Sequence, residues 1–226
     1  MGSSRPRYSR GVGLRIEEPA GSDDVADAEA AVAAGADLVT AQGIEAGGHV
    51  RGETALLPLL TAVLATVPVP VLAAGGIADA RSLAAVLAAG AAGARIGTRF
   101  IAATESGAHP DYIAAILRAG PGSTEITGEF AVCPLCTTLP RTRVLSSAVR
   151  AVAALQDEAV GTMPIPSGEM ALPRRFGMPP HREVRGQIDA MALYAGQSVG
   201  AVTDVKPAAA IIHDLVQGAE DLLRAW

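Results

Sequence analysis

The chain has 226 residues, of which 50% are hydrophobic, with a mean hydropathy of +0.32 and a net charge of −5. This length allows one large domain or two small ones with a buried core, and the acidic balance argues against a nucleic-acid-binding surface. No apolar run is long enough to cross a bilayer, and the arginine-rich start lacks the apolar stretch of a secretory signal. We therefore expect a cytoplasmic protein that binds neither nucleic acid nor membranes.

From Asp23 onward, amphipathic helices alternate with short buried strands. An acidic residue before a helix and a glycine just after it are typical capping signals. These signals predict helices between Asp24 and Gly35, over 57–67, and between Asp79 and Gly90, and strands over 36–41, 70–74 and 93–97. Such alternation is typical of βαβ units and indicates an α/β fold with a parallel sheet.

The pattern changes beyond Arg99. Helices are predicted over 110–119 and 145–156, separated and followed by proline- and threonine-rich stretches, which suggests a mostly helical lid with irregular connections. A last helix starts at Pro207, and its apolar stripe should dock onto the sheet. The chain is thus divided into a poorly ordered segment (1–22), an α/β part (23–107), a lid (108–192), and a return loop with a helix (193–226).

Cysteine is scarce in this sequence. Cys133 and Cys136 stand in the run Val-Cys-Pro-Leu-Cys and are the two cysteines of the chain. A tetrahedral zinc site needs four ligands, and no second pair of cysteines or nearby pair of histidines would complete one. We expect two reduced thiols in a loop and no metal site.

Each predicted strand of the α/β part leads into a short stretch rich in glycine, at 41–49, 73–77 and 95–98. Glycine lets the backbone approach an anion closely and adopt positive φ, so that several N–H groups converge on one phosphate. Gly75–Gly76 and Gly97–Thr98 have this layout, and the Thr98 hydroxyl would be a further donor. Two such loops one helix apart favour a phosphate site, and tight turns without a ligand are the alternative.

A single imidazole accompanies these loops. His49 follows two glycines, where it either takes a proton from a substrate or lies on the surface without a role. Gln42 can donate and accept hydrogen bonds, which suits the edge of a flavin ring, and Glu45 is interpreted as solvated. The remaining histidines have no partner motif and are expected at the surface: His109, His181 and His213.

These motifs carry a family resemblance. Ala-Gln-Gly-Ile-Glu-Ala-Gly-Gly-His at 41–49, Ala-Ala-Gly-Gly-Ile at 73–77 and Ile-Gly-Thr-Arg-Phe at 96–100 strongly resemble the nitronate monooxygenases. Leu-Tyr-Ala-Gly-Gln-Ser-Val-Gly at 193–200 fits the same family. The resemblance implies an FMN-dependent TIM barrel with a lid after strand eight. It also implies the oxidation of nitronates or nitroalkanes by O₂ to a carbonyl compound and nitrite.

The resemblance also assigns roles to residues. His49 would be the catalytic base that takes the α-proton of a neutral nitroalkane, a step that an anionic nitronate needs less. Tyr194 and Gln197 would border the flavin. The contacts to FMN would come from Gln42, Gly47, Gly76, Arg95, Ile96, Gly97 and Thr98.

The resemblance covers part of a barrel. The sequence matches the last three or so units of a (β/α)₈ barrel with its lid and C-terminal helix, and the family's first five strands have no counterpart in it. We expect a partner chain or self-association to complete the barrel. Two other interpretations stay open: an FMN-dependent enoyl-thioester reductase that uses NAD(P)H, and an inactive fragment with weak or no FMN binding.

Overall fold

The computed structural model describes residues 21–22, 24–133 and 139–225. Its strands are β1 (Gly21–Ser22), β2 (Val39–Gln42), β3 (Gly48–His49), β4 (Val71–Ala74), β5 (Gly93–Arg95), β6 (Thr124–Thr127), β7 (Thr142–Leu145), β8 (Ala159–Ile165), β9 (Gly168–Pro173) and β10 (Arg185–Gly186). Its α-helices are α1 (Val25–Ala33), α2 (Leu56–Thr66), α3 (Ala80–Ala88), α4 (Thr98–Ile101), α5 (Pro110–Arg118), α6 (Ser146–Ala154) and α7 (Ala208–Arg224). No helix in these ranges combines the length and the apolar character that crossing a bilayer requires.

A four-stranded parallel sheet in the order β1-β2-β4-β5 lies at the centre of the N-terminal half. The register of this sheet places Gln42 beside Ala74 and Ala74 beside Arg95. Because these residues are near the carboxyl ends of their strands, the loops that follow all three strands start from one row. Ligands of open α/β sheets bind at this edge, and the row positions the site described below.

Helices α1, α2 and α3 pack against this sheet, and α7 packs against α3. Leu60, Val63 and Val71 are fully buried between the helices and the sheet, and burial of each such side chain contributes about 1.5–3 kcal/mol. The predicted apolar stripe of α7 is confirmed at Ile211 and Leu215, which are buried in the same core. The helix docks on α3, however, and not directly on the sheet as expected.

A second core lies in the C-terminal half. It contains fully buried side chains from α5, α6, β7 and the segment after β10, among them Ile116, Val152, Leu145 and Leu193. Two antiparallel sheets surround it, in the orders β3-β7-β6 and β10-β8-β9. Strand β3, which contains His49, comes from the N-terminal half, so the pairing of β3 with β7 joins the two halves.

The structure confirms the α/β class and corrects several details. Gly21 and Ser22, expected in the poorly ordered segment, pair with β2 in parallel, while 1–20 lie outside the described residues. The mostly helical lid is wrong, because the described part of 108–192 contains five strands and two α-helices. The sequence does not predict strand β7, because all four of its residues are buried and no polar–apolar alternation marks it.

Helix α3 begins just after the Gly75–Gly76 loop with a capping box. The Asp79 carboxylate accepts from Ser82 N–H at 2.8 Å, and the Ser82 hydroxyl accepts from Asp79 N–H at 3.2 Å. We expect Asp79→Ala to lower the free energy of unfolding by about 1 kcal/mol, because a helix N–H loses its partner. Asp79→Asn, which retains a capping oxygen, should lose less in urea denaturation. Equal losses in the two variants would contradict this role of the side chain.

Candidate active site

The carboxyl ends of β2, β4 and β5 border a cavity of about 650 Å³, a volume within the usual range for small-molecule sites. One side consists of the strand ends and the two glycine loops, Gly75–Gly76 and Ile96–Thr98. The other side comes from the C-terminal half and includes Tyr112, Pro179, Pro180, His181, Tyr194, Gly196 and Ser198.

The glycine loops present bare backbone to the cavity. Gly75 and Gly76 have φ values of +105° and +70°, a conformation that side chains with a Cβ rarely adopt. Gly97 lines the cavity, and a Cβ added to it would have no atom within 4 Å. The space beside Gly97 is therefore cavity, which a side chain would fill.

Arg95 adds a positive charge at the same edge. Its side chain is exposed and lines the cavity, and within the described residues it has no hydrogen-bond or ion-pair partner. Its guanidinium is therefore available to an anion. Thr98, expected to donate to a phosphate, instead uses its Oγ1 to accept from Gly196 N–H at 2.9 Å. The hydroxyl proton of Thr98 is still available for a second partner.

Gln42 and Gly47 shape the loop that carries His49. The Gln42 Nε2 donates to the backbone carbonyl of His49 at 2.8 Å. A Cβ on Gly47 would lie 2.6 Å from Gly196 N and 2.7 Å from Ala195 C. Glycine at 47 is therefore required by the contact with another backbone segment, whatever the cavity holds.

Glu45, expected to be solvated, is instead part of the same loop's support. Both of its carboxylate oxygens accept from Leu56 N–H at 3.0 Å, at the start of α2, where the N-cap residue Ala55 makes no side-chain hydrogen bond. Arg143 is only 5% exposed and donates from Nε to the Ile44 carbonyl at 3.0 Å. Burial lowers the pKa of Arg143, and the nearby charge of Glu45 opposes that shift.

His49 is half-buried at the edge of the cavity. Strand β7 holds it from one side, with Thr142 opposite His49 in the ladder. The ring of Tyr194 meets the imidazole edge-to-face, with centroids 5.8 Å apart and an interplanar angle of 68°. Burial lowers the pKa of His49 from its ordinary value of 6.5, so the ring is neutral at neutral pH and can accept a proton.

Two tyrosines on the opposite side donate to backbone carbonyls. The hydroxyl of Tyr194 donates to the Gly177 carbonyl, and that of Tyr112 donates to the Tyr194 carbonyl. Burial raises the pKa of Tyr194 to about 12. Burial, followed by the charge of Tyr194, also raises the pKa of Tyr112. Both phenols are therefore neutral hydrogen-bond donors at neutral pH.

Most of the predicted site residues line this cavity, and one does not. Gln197, expected to border a flavin, is absent from the lining, and its N–H donates to the Glu45 carbonyl at 2.9 Å. His181, expected at the surface, lines the cavity, with its Nδ1 accepting from Glu183 N–H at 3.3 Å. The predicted residues that do line it are Gln42, Gly47, His49, Gly76, Arg95, Ile96, Gly97, Thr98 and Tyr194.

The prediction that the other histidines lie at the surface is confirmed for one of them. His213 is exposed, as expected, whereas His109 caps α5 by accepting from Asp111 N–H at 3.1 Å.

The expectation of reduced thiols is wrong for Cys133, which is disulfide-bonded, while Cys136 lies outside the described residues. The Cys133 Sγ lies 3.3 Å from the Nε2 of His49. No sequence signal indicated this contact, because 84 positions separate the two residues.

The sequence comparisons identify the family of this chain. The family model described as nitronate monooxygenase matches residues 20–218, which include every residue of the cavity. The chain belongs to the nitronate monooxygenase family. A nitronate monooxygenase of Pseudomonas aeruginosa is 32% identical over 219 residues, a match that covers 93% of this chain and 58% of that relative.

This chain also matches solved structures of similar proteins over only part of their length. FabK from Thermotoga maritima superimposes with a TM-score of 0.69 at 30% identity, over 89% of this chain and 60% of that one. Nitroalkane oxidase from Streptomyces ansochromogenes gives a TM-score of 0.66 at 29% identity, over 90% of this chain and 57% of that one. The chain therefore spans less than two thirds of the length of these relatives.

Gly47 and Gly97 provide a matched pair for testing the loop contacts. We expect Gly47→Ala to lower the free energy of unfolding by about 1–3 kcal/mol, because the added methyl group overlaps the backbone of Ala195 and Gly196. Gly97→Ala should leave stability unchanged or slightly raised, since φ is −105° there and no atom is near. Urea denaturation of both variants measures the difference. A similar loss in both would contradict the steric assignment.

Proposed function

We propose that this chain carries the cofactor-binding and proton-accepting part of an FMN-dependent nitronate monooxygenase. The enzyme would oxidise alkyl nitronates or nitroalkanes with O₂ to a carbonyl compound and nitrite. The observation that supports this most directly is a half-buried imidazole of lowered pKa at a cavity bounded by two bare glycine loops. Family membership supports the same chemistry.

The residues present suit the two ends of FMN. Backbone N–H groups of Gly76 and Gly97, the hydroxyl of Thr98 and the guanidinium of Arg95 would hold the phosphate, since each is a donor at the same cavity edge. Gln42 would meet the ring system from the end of β2. When bound, FMN supplies the electron-accepting group that connects substrate oxidation to O₂. Ile96 and Gly47 would complete the binding surface.

His49 would act on the substrate as a general base. A neutral nitroalkane must lose its α-proton before it becomes an electron-rich nitronate, and the imidazole is the group at this cavity best suited to accept it. Gln42 and β7 fix the backbone of His49, and the Tyr194 ring restricts the imidazole from one side. A substrate that arrives as the nitronate anion would depend less on this group.

The four parallel strands would form part of a (β/α)₈ barrel. We infer that a partner chain or self-association supplies the remaining wall of the flavin site. The unit boundaries at 23–107, 108–192 and 193–226 remain predictions within this arrangement. An equilibrium ultracentrifugation run with added FMN would detect self-association. A monomer that binds no FMN would instead favour the inactive fragment.

The phosphate assignment is tested by Arg95→Gln. We expect the dissociation constant for FMN to rise about tenfold or more, because a charge-assisted hydrogen bond contributes about 1.5–3 kcal/mol. Arg150→Gln, which changes an exposed arginine on α6, is the matched control and should bind FMN as the unchanged chain does. Flavin fluorescence quenching measures both constants. Equal affinities in the two variants would remove Arg95 from the binding site.

The base assignment is tested by His49→Asn and by the pH profile. We expect kcat/KM for a neutral nitroalkane to fall by about 10²–10⁴-fold in the variant, the usual contribution of a general base, while that for the nitronate changes far less. In the unchanged chain, kcat/KM for the nitroalkane should decline with falling pH through a pKa below 6.5, as the imidazole is protonated. Equal losses on both substrates would show that His49 acts otherwise.

A second candidate function is the reduction of enoyl thioesters by NAD(P)H. It is favoured by FabK, which superimposes on this chain as well as the nitroalkane oxidase does. NADPH oxidation stimulated by an enoyl thioester distinguishes the two, because a nitronate monooxygenase would consume O₂ and release nitrite instead.

A further inference from the structure

The sulfur of Cys133 touches the candidate base. Its distance of 3.3 Å from His49 Nε2 is within the range of hydrogen bonds to sulfur. Because Cys133 is disulfide-bonded, its sulfur carries no proton and can only accept. The neutral imidazole therefore has its proton on Nε2 and its basic lone pair on Nδ1.

Described residues hold the backbone next to Cys133 in place. The preceding residue, Val132, donates to the Arg175 carbonyl at 3.0 Å and accepts from Gly177 N–H at 2.9 Å. The hydroxyl of Tyr194, whose ring packs on His49, donates to the Gly177 carbonyl. The residue before Cys133 and the phenol whose ring packs on His49 are thus both hydrogen-bonded to the segment 175–177.

We propose that Cys133 is a redox-dependent positioning residue for His49, whose disulfide leaves the imidazole neutral and basic and whose thiol takes up its lone pair. A thiol next to an imidazole donates its proton to nitrogen, giving either an S–H···N hydrogen bond or a thiolate–imidazolium pair. In both forms the imidazole no longer accepts a proton from a substrate. The consequence for catalysis rests on the proposed function, whereas the thiol–imidazole coupling does not.

The switching step is a thiol–disulfide exchange. A dithiol reductant attacks the S–S bond, two electrons pass to the protein sulfurs, and the two thiol protons of the reductant end on them as the reductant closes to its own disulfide. The reverse step needs an oxidised dithiol or another disulfide. A dithiol for the reduction and a disulfide for the reoxidation are therefore the reactants that the switch needs.

The charged and titratable surroundings allow this switch to act on His49. The neighbouring phenols stay neutral, with the pKa of Tyr194 raised to about 12 by burial. Arg143 on β7 directs its guanidinium to the Ile44 carbonyl and the Thr124 hydroxyl. On the segment of His49 itself, Arg51 is paired with Asp27. Arg95 and His181 line the same cavity.

The first test is independent of flavin and of substrate. On a Cys136→Ala background, the reduced protein has one thiol, and its alkylation by iodoacetamide is followed against pH, with mass spectrometry to locate the label on Cys133. We expect alkylation at pH 7 to be about tenfold or more faster than in the same background with His49→Asn, because an imidazolium stabilises the thiolate. His49→Gln serves as a second variant, and circular dichroism checks the folding of each.

Equal alkylation rates with and without the imidazole would overturn the proposal, including the case in which neither protein reacts. So would an air-oxidised wild-type protein with two titratable thiols and no disulfide by intact mass. These outcomes concern only the sulfur and the ring, so they stand whether or not the chain oxidises nitronates.

The second test measures the consequence for turnover. Dithiothreitol should lower kcat/KM for a neutral nitroalkane at pH 7 by about tenfold or more, the effect of at least one unit of pKa, with a much smaller change for the nitronate. Cys133→Ser, which forms no disulfide, should not respond to dithiothreitol. An undiminished response in Cys133→Ser would overturn the switch. Absence of any turnover alongside a positive alkylation result would contradict the proposed function and leave the coupling intact.

Discussion

The two-residue ladder between β3 and β7 is the constraint on which the site depends. It pairs Gly48 with Arg143 and His49 with Thr142, and Val50 N–H continues it with a hydrogen bond to the Arg141 carbonyl at 3.0 Å. Because β3 belongs to the N-terminal half and β7 to the C-terminal half, this ladder connects the two halves of the protein. The imidazole is therefore held by residues that the chain reaches only some ninety positions later.

Several polar groups in the site serve the loops before they serve any ligand. Gln42 holds the carbonyl of His49, Glu45 binds the first N–H of α2, and Thr98 accepts from Gly196 N–H. Such internal hydrogen bonds fix the loops in one conformation before a ligand arrives, which lowers the entropy cost of binding. The groups that remain for a ligand are the bare glycine backbone, the hydroxyl proton of Thr98, the Arg95 guanidinium and the imidazole.

The sequence predicted what short-range signals encode. Asp24, Asp79 and Pro110 marked the starts of helices that the structure contains, and glycines with positive φ at 35 and 90 follow the ends of α1 and α3. The strand ends and their glycine loops were predicted for the same reason. Nearly all the residues proposed from the family motifs line one cavity, because those motifs lie at neighbouring strand ends.

What the sequence did not predict depends on pairs of distant residues. Strand β7 is buried on both faces, and it is recognisable as a strand only from its pairing with β3 and β6. The sequence predicts a solvated Glu45 because its hydrogen-bond partner, Leu56 N–H, is an ordinary backbone group with no sequence signature. His181 and Cys133 reach the site from the C-terminal half, where no periodic pattern indicates how the chain returns.

The anchoring of Gly196 limits how molecules can reach the cavity. Its N–H is bonded to Thr98, the next N–H is bonded to the Glu45 carbonyl, and Gly47 packs directly beneath it. A segment fastened at three points to the strand ends cannot swing outward as a flap without breaking all of them. A ligand must therefore enter the cavity without displacing this segment. Ala108 and His181, which also line the cavity, are held to each other by a backbone bridge.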